Sequence, residues 1–263
     1  MRQMLIAIAV LQSACASMSA PLPVSGVDTR PAIVAYRSIH HPVYSTTGMV
    51  AAQNRIPAEI GAAVLADGGT AVDAAIATGF ALAVTLPRAG NIGGGGFMLV
   101  YDADTNSSVA IDYREMAPVG ASRDMFLDAN GDPDPRLSRN SHMASAVPGT
   151  VAGFYLAHQR YGRLPWKRLI QPAIDLAREG IVVTHDLSTQ LKRRKQRLCA
   201  DPTTCRYFYK PGGEPYAMGE RFVQADLAKT LQRIADEGPD AFYRGLIAGQ
   251  IVAEMQQGGG LID

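Results

Sequence analysis

The chain has 263 residues, of which 47% are hydrophobic, so it can bury a substantial core and is not a disordered tail. Its 25 Lys and Arg nearly balance its 24 Asp and Glu, which leaves a net charge of +1. This balance excludes the overall electrostatic attraction that many nucleic-acid-binding proteins use. An ionic ligand would therefore need a local site.

The N-terminus has the pattern of a secretory signal peptide. Arg2 precedes an apolar run over residues 4–11, and small residues then offer cleavage after Ala16 or Ala20. We therefore predict a signal peptide over residues 1–20 and an exported protein, periplasmic or secreted.

The cysteines fit export. Cys15 would leave with the signal peptide or carry a lipid anchor, although Gln12 stands where a lipoprotein signal usually has Leu. Cys199 and Cys205 remain, six residues apart, with a predicted turn at residues 201–202. This pattern predicts a local disulfide in an oxidising compartment, and two free buried thiols are the alternative.

The next part of the chain divides into a lead-in and a helical start. Residues 21–47 are rich in Pro, Ser and Thr and predict an extended lead-in to a domain over residues 48–263. Periodicity predicts a helix that stops at the glycine pair 68–69. A second helix, apolar nearly all round and hence buried, should start with Thr70 as its N-cap and end before Pro87.

A hairpin and several helices follow. The apolar runs FMLVYD and SVAIDYR, separated by ADTNS, predict a β-hairpin. Four later helices are predicted over residues 149–162, 166–180, 223–238 and 240–260. This order lacks the strand-helix alternation of a doubly wound sheet, so we predict an α+β fold.

Four consecutive glycines, Gly93 to Gly96, raise the possibility of a phosphate-binding loop. Such loops run from a strand into a helix, because the helix N-terminus supplies free N–H groups. Here a helix leads in and a strand leads out, and no Gly-Lys-Ser or Gly-Lys-Thr follows. The glycines therefore predict close approach of other atoms to the backbone, and no nucleotide cofactor is expected.

Arg114 is the candidate binding residue. Strand alternation places Ile111 and Tyr113 on one face and Asp112 and Arg114 on the other, with Arg114 at the strand end. A guanidinium there can hold a carboxylate through two parallel hydrogen bonds. The alternative is a structural pairing of Arg114 with Asp112 or Glu115.

Other constellations favour ordinary structure. Asp128, Asn130 and Asp132 have calcium-loop spacing, but Pro133 and Arg139 stand where the loop needs Gly and Glu, so a polar turn is predicted. The histidines are scattered, and no metal site is expected.

The basic run LKRRKQR, residues 191–197, is a candidate contact for nucleic acid or anionic lipid. In an exported chain it is better interpreted as a solvated helix face. We therefore predict no nucleic-acid partner, and no membrane contact after signal removal unless the chain is lipidated.

Several ordered blocks closely resemble one family. They include DGGTAVDAAIATGFALAVTLPRAGNIGGGGFMLVYD, AIDYREMAP, SHMASAVPGTVAGF and YGRLPWKRLIQPAIDLAREG. Together they resemble the large-subunit half of γ-glutamyltransferases, also called glutathione hydrolases, from about Gly48 to the last residue. The resemblance implies an incomplete N-terminal-nucleophile hydrolase αββα sandwich, helix-rich with a core hairpin, from a precursor that cuts itself into two subunits.

The resemblance also implies roles. The arginine of the REMAP block binds the α-carboxylate of the γ-glutamyl group, and it matches Arg114. The nucleophile is the N-terminal threonine of a small subunit that would lie beyond Asp263. Thr46 and Thr47 lie outside any matching block, and Thr150, within the SHMASAVPGTVAGF block, is predicted to begin a helix, so no catalytic residue is assigned here.

We therefore expect part of an enzyme that transfers the γ-glutamyl group of glutathione and other γ-glutamyl compounds to water, amino acids or peptides. Alone it should be inactive, because the nucleophilic threonine belongs to the small subunit, its expected partner. The alternatives are a non-catalytic protein that binds γ-glutamyl compounds or a partner, and one chain of a split enzyme.

Overall fold

A computed structural model describes residues 43–263, and residues 45–263 form one unit. The predicted signal peptide, Cys15 and nearly all of the lead-in lie outside the described residues. The helices of eight or more residues are α1 (Arg55–Ala66), α2 (Ala71–Thr85), α4 (Thr150–Tyr161), α5 (Trp166–Glu179), α6 (His185–Leu198), α8 (Ala225–Glu237) and α10 (Leu246–Gly258). None of these, within residues 43–263, is long and apolar enough to span a bilayer.

Short elements complete the described part of the chain. The short helices are α3 (Pro135–Asn140), α7 (Pro202–Phe208), α9 (Asp240–Tyr243) and a 3-10 turn over His142–Ala144. The strands are β1 (Phe97–Asp102), β2 (Ser107–Asp112), β3 (Ile181–Val182) and β4 (Arg221–Phe222). The last two are too short for a sequence pattern to reveal.

The start of α2 is fixed by reciprocal hydrogen bonds. The Thr70 hydroxyl accepts from the Asp73 amide at 3.1 Å, and an Asp73 carboxylate oxygen accepts from the Thr70 amide at 2.9 Å. The same oxygen accepts from the amides of Arg163 and Leu164 at 2.9 and 3.2 Å. The predicted Thr70 N-cap is confirmed, and the buried Asp73 carboxylate joins α2 to the loop before α5.

The core lies among the helices. Helix α2 packs against α1 and α5, and α5 packs against α8. The Phe80 ring is fully buried and makes edge contacts with Phe154 and Trp166 at centroid distances of 5.3 and 5.5 Å. The prediction of a buried α2 is confirmed, because a helix without a polar face is stable only when it is covered on all sides.

The predicted hairpin is confirmed as the antiparallel pair β1–β2, which runs from Phe97 opposite Asp112 to Asp102 opposite Ser107. One face, which carries Met98 and Val100, packs on the helical core. The other face is open, and its large side chains are exposed by 62% at Phe97, 81% at Leu99 and 64% at Tyr101. We call these three residues the open hairpin face.

Two local predictions need correction. The single helix predicted over residues 240–260 is two helices, α9 and α10, because Gly245 adopts an extended conformation and becomes the N-cap of α10. Residues 201–202 begin helix α7 instead of a simple turn: the Asp201 side chain accepts from the Thr204 amide at 2.6 Å, and Pro202 occupies the first turn. The structure joins Cys199 to Cys205 in a disulfide across this boundary.

Candidate functional site

The glycine loop connects the buried helix α2 to strand β1. The Gly94 carbonyl accepts two hydrogen bonds, from the Gly149 amide at 2.7 Å and the Thr150 amide at 2.9 Å. These are the first amides of α4, which no side chain of the described residues caps. A backbone carbonyl of the loop therefore does the capping that a Ser or Asp side chain usually does.

The glycines allow backbone to approach backbone, as predicted. A Cβ atom at Gly95 would collide with the Tyr113 carbonyl oxygen and would lie 2.7 Å from the Glu115 amide nitrogen. A Cβ at Gly149 would collide with the same carbonyl oxygen. We call Gly94, Gly95, Tyr113 and Gly149 the glycine joint, because they hold the loop, the end of β2 and the start of α4 together.

Tyr113 locks the end of the hairpin in place. Its amide donates to the Gly96 carbonyl at 3.0 Å, which extends the pairing beyond the ladder. Its ring lies over Gly153, where a Cβ would collide with it, and makes an edge contact with Phe154 at 5.7 Å. Burial raises the pKa of the Tyr113 hydroxyl, so the residue acts as a neutral anchor.

Arg114 follows this anchor and is exposed. Its amide donates to an Asp112 carboxylate oxygen at 2.9 Å, and its guanidinium carbon lies 5.7 Å from the centre of the Phe97 ring. Within residues 43–263 its guanidinium forms no ion pair with Asp112 or Glu115. The described contacts therefore give no support to the structural pairing, and they leave the donors of Arg114 directed at no protein carboxylate.

The surroundings of Arg114 are apolar and open. Phe97 stacks beside it, and the exposed Met116 and Val119 follow it along the chain. The backbone of Met116 pairs with Val147, which holds the segment after Arg114 close to the start of α4. Thr150, one of the hydroxyls weighed from the sequence, is buried at the first position of α4.

The polar turn predicted near residue 130 is confirmed. The Asp128 carboxylate accepts from the amides of Asn130 and Asp132 at 2.8 and 3.0 Å, so it is used within its own turn. Across the described residues no cluster of three His, Cys, Asp or Glu side chains could hold a metal ion.

A cavity of about 610 Å³ is bordered in part by the glycine loop, and sequence reasoning did not find it. Asn91 from the loop, Tyr207 and Phe208 from the end of α7, and Asp226 at the start of α8 border it. Arg114 does not line this cavity, so the volume is separate from the candidate site.

Comparison with known proteins identifies the class. A family model described as gamma-glutamyltranspeptidase matches residues 57–263. The chain is 46% identical over 254 residues to the glutathione hydrolase proenzyme of Escherichia coli, covering 97% of this chain and 43% of that protein. It is 48% identical over 215 residues to the glutathione hydrolase proenzyme of Pseudomonas aeruginosa, covering 82% and 37% respectively.

The fold agrees with this similarity. The crystal structure of Helicobacter pylori gamma-glutamyltranspeptidase superimposes with a TM-score of 0.82 at 43% identity, over 84% of this chain and 63% of that chain. The chain belongs to the gamma-glutamyltranspeptidase family, and the predicted α+β fold class, part of an N-terminal-nucleophile hydrolase sandwich, is confirmed. It spans less than half the length of the curated relatives it matches.

Proposed function

We propose that residues 48–263 form the carboxylate-binding part of an enzyme that transfers γ-glutamyl groups from glutathione to water, amino acids or peptides. The observation that carries this proposal is Arg114, exposed at the end of a rigidly held hairpin and free of ion pairs with its neighbours Asp112 and Glu115. Family membership supplies the reaction class, and Arg114 occupies the matching position of the REMAP block.

Arg114 would bind the substrate through its α-carboxylate. A guanidinium presents two parallel N–H groups that match the two carboxylate oxygens, a geometry that a lysine ammonium does not reproduce. The Asp112 side chain fixes the Arg114 backbone, and the Phe97 ring supports the guanidinium from one side within cation–π distance. The open edge of the guanidinium is then left for the ligand.

The nucleophile would come from a complementary small subunit. Its N-terminal threonine hydroxyl would attack the γ-carbonyl carbon, and its own α-amino group would take the hydroxyl proton. The carbon–nitrogen bond would break, and the amine would leave with that proton. The γ-glutamyl group would then pass from the threonine ester to water or an amine, which returns a proton to the threonine hydroxyl. The open hairpin face of Phe97, Leu99 and Tyr101 supports such a partner, because so much apolar strand surface marks an interaction site.

We also propose that this assembly works outside the cytoplasm after removal of residues 1–20. The Cys199–Cys205 disulfide supports this location, because such bonds persist in oxidising compartments.

The test uses release of 4-nitroaniline from γ-glutamyl-4-nitroanilide. The 263-residue chain alone should give none, and co-production with the remainder of the E. coli relative, from the end of the matched part to its C-terminus, should give release. In that pair Arg114→Ala should lower kcat/KM by about 10²-fold, because two charge-assisted hydrogen bonds are lost, with Arg114→Lys in between. Arg123→Ala is the matched control, because Arg123 is exposed and, within residues 43–263, pairs only with its neighbour Asp124.

Two results would contradict the proposal. Clear turnover by the chain alone would mean that a nucleophile lies within it. Tight binding of glutathione by the isolated chain, measured by calorimetry and lost in Arg114→Ala, would instead favour the non-catalytic binding protein.

A further inference from the structure

The C-terminal half of α6 concentrates positive charge. Five of the six residues 192–197 are Lys or Arg, and residues 187–200 contain no Asp or Glu. All five side chains are exposed. We call them the basic helix face, which consists of Lys192, Arg193, Arg194, Lys195 and Arg197. The whole chain carries a net charge of only +1, so this charge is local.

Among the described residues the cations of the basic helix face pair with no carboxylate, although Arg194 Nε donates to the Gln190 side-chain oxygen at 3.2 Å. Eleven other Lys and Arg side chains of residues 43–263 form ion pairs with carboxylates, but none of these five does. The nearest acidic residues along the chain are already engaged: Asp186 pairs with Arg88, and Asp201 caps α7. Like charges on successive helix turns repel each other, so this arrangement works against local stability.

Helix electrostatics explain only part of the pattern. Cations in the last turn of a helix favour its negative end, which accounts for Lys195 and Arg197. The same effect falls off within one turn, so it gives no reason for Lys192, Arg193 and Arg194. Three cations therefore remain that folding does not require.

Beside this face lies a depression of about 250 Å³ with a largely apolar lining. Arg88, Arg194 and Arg197 border it. The apolar side chains that line it are Pro87, Leu187, Leu191, Leu198 and Phe208. Guanidinium groups next to an apolar lining match an amphiphile with an anionic head. Because Arg88 is paired with Asp186, Arg194 and Arg197 would hold that head.

We propose that the basic helix face, which the sequence alone predicts to be a solvated face without membrane contact, binds an anionic phospholipid surface. Clusters of four to eight Lys or Arg bind such surfaces, because each cation near the headgroups adds attraction. At 100° per residue Arg193, Arg194 and Arg197 fall within one arc of about 100° on α6, and Lys192 and Lys195 flank that arc. A nucleic-acid duplex holds its phosphates along fixed lines and keeps its bases stacked inside, so an apolar lining gives it little to bind.

The test measures partition of the full chain onto phosphatidylcholine vesicles with and without an equal part of phosphatidylglycerol. At about 0.1 M salt, where charges act over about 10 Å, anionic vesicles should bind at least about tenfold more tightly than neutral ones. Binding should disappear at about 1 M salt, where that range falls to about 3 Å. Replacing the five residues of the basic helix face with Gln should abolish the preference.

The matched control removes the same charge elsewhere. It changes five exposed cations that pair with carboxylates to Gln, namely Arg55, Arg123, Arg136, Lys229 and Arg244. This variant should keep the preference within about threefold, because it leaves the local cluster of cations intact. All proteins keep residues 1–42, so binding by that segment is common to them, and circular dichroism verifies that each is folded.

Three results would overturn the proposal. The first is equal binding of anionic vesicles by wild type and the basic-face variant. The second is a loss of preference for anionic vesicles in the control as large as that in the basic-face variant. The third is tighter binding to a DNA duplex than to the vesicles at the same salt, lost with the same five substitutions, which would assign the face to nucleic acid.

Discussion

The helical core and the open hairpin face use similar side chains in opposite ways. Phe80 in α2 is fully buried between two aromatic rings, whereas Phe97 in β1 is 62% exposed and contacts a charged Arg114. The described chain thus buries the apolar side chains of the core with its own residues. It covers only one face of the hairpin, so the other face is available for recognition.

The largest effect should separate the two phenylalanines. Phe80→Ala should lower the free energy of unfolding by about 3–5 kcal/mol, because a cavity opens in a packed core. Phe97→Ala should cost less than about 1 kcal/mol, because most of that ring is already in water. Urea denaturation of the full chain measures both, and equal losses would mean that the open face is covered in solution.

Next in size is the buried carboxylate of the core. Asp73→Ala should cost about 2–4 kcal/mol, because several backbone amides lose their acceptor. Asp73→Asn should cost less than half of that, because within the described residues the second carboxylate oxygen has no partner and can become the amide nitrogen. If both variants lose the same stability, the negative charge and not the accepting oxygen is what matters.

An intermediate effect should appear where the two regions meet. Gly149→Ala should destabilise by about 1–3 kcal/mol, because the new methyl group would collide with the Tyr113 carbonyl. Gly249→Ala is the matched control. Gly249 lies within α10 with open space around it, so alanine should raise the free energy of unfolding by about 0.5–1 kcal/mol through its higher helix propensity. If Gly149→Ala left the free energy of unfolding unchanged, the glycine joint would be looser than its contacts indicate.

The smallest effect on stability should come from the open hairpin face itself. Leu99→Ser should change the free energy of unfolding by less than about 0.5 kcal/mol, because Leu99 is 81% exposed. The same change should reduce self-association in light scattering, since it removes apolar surface. A large loss of stability would contradict the assignment of this face as uncovered.

Sequence patterns predicted the elements whose signals are local. The period of α1, the apolar run and Thr70 cap of α2, and the two runs of the hairpin all lie within short windows of sequence. The break at Gly245 was missed because apolar periodicity continues across it, although a glycine after Arg244 is a possible stop. Strands β3 and β4 depend on pairing between distant residues, which no local pattern contains.

The candidate site was predictable in part. Strand alternation and the REMAP resemblance both selected Arg114. The glycine joint was foreseen only as a close backbone approach, because its partners, Tyr113 and Gly149, lie far from the glycine loop in sequence. Gly149 and Gly153, four residues apart where a helix begins, were the available signal that something would pack against that helix.

The two hydrogen bonds accepted by the Gly94 carbonyl also bear on how the chain folds. Helix α4 has no side-chain cap of its own, so its first turn is completed only when the glycine loop has arrived. The loop and the helix should therefore open together, and the amide hydrogens of Gly149 and Thr150 should exchange with solvent at the same rate as those that pair Tyr113 with Gly96. The position of Arg114 is then set by a single cooperative opening unit, so a ligand bound there should slow exchange at the start of α4.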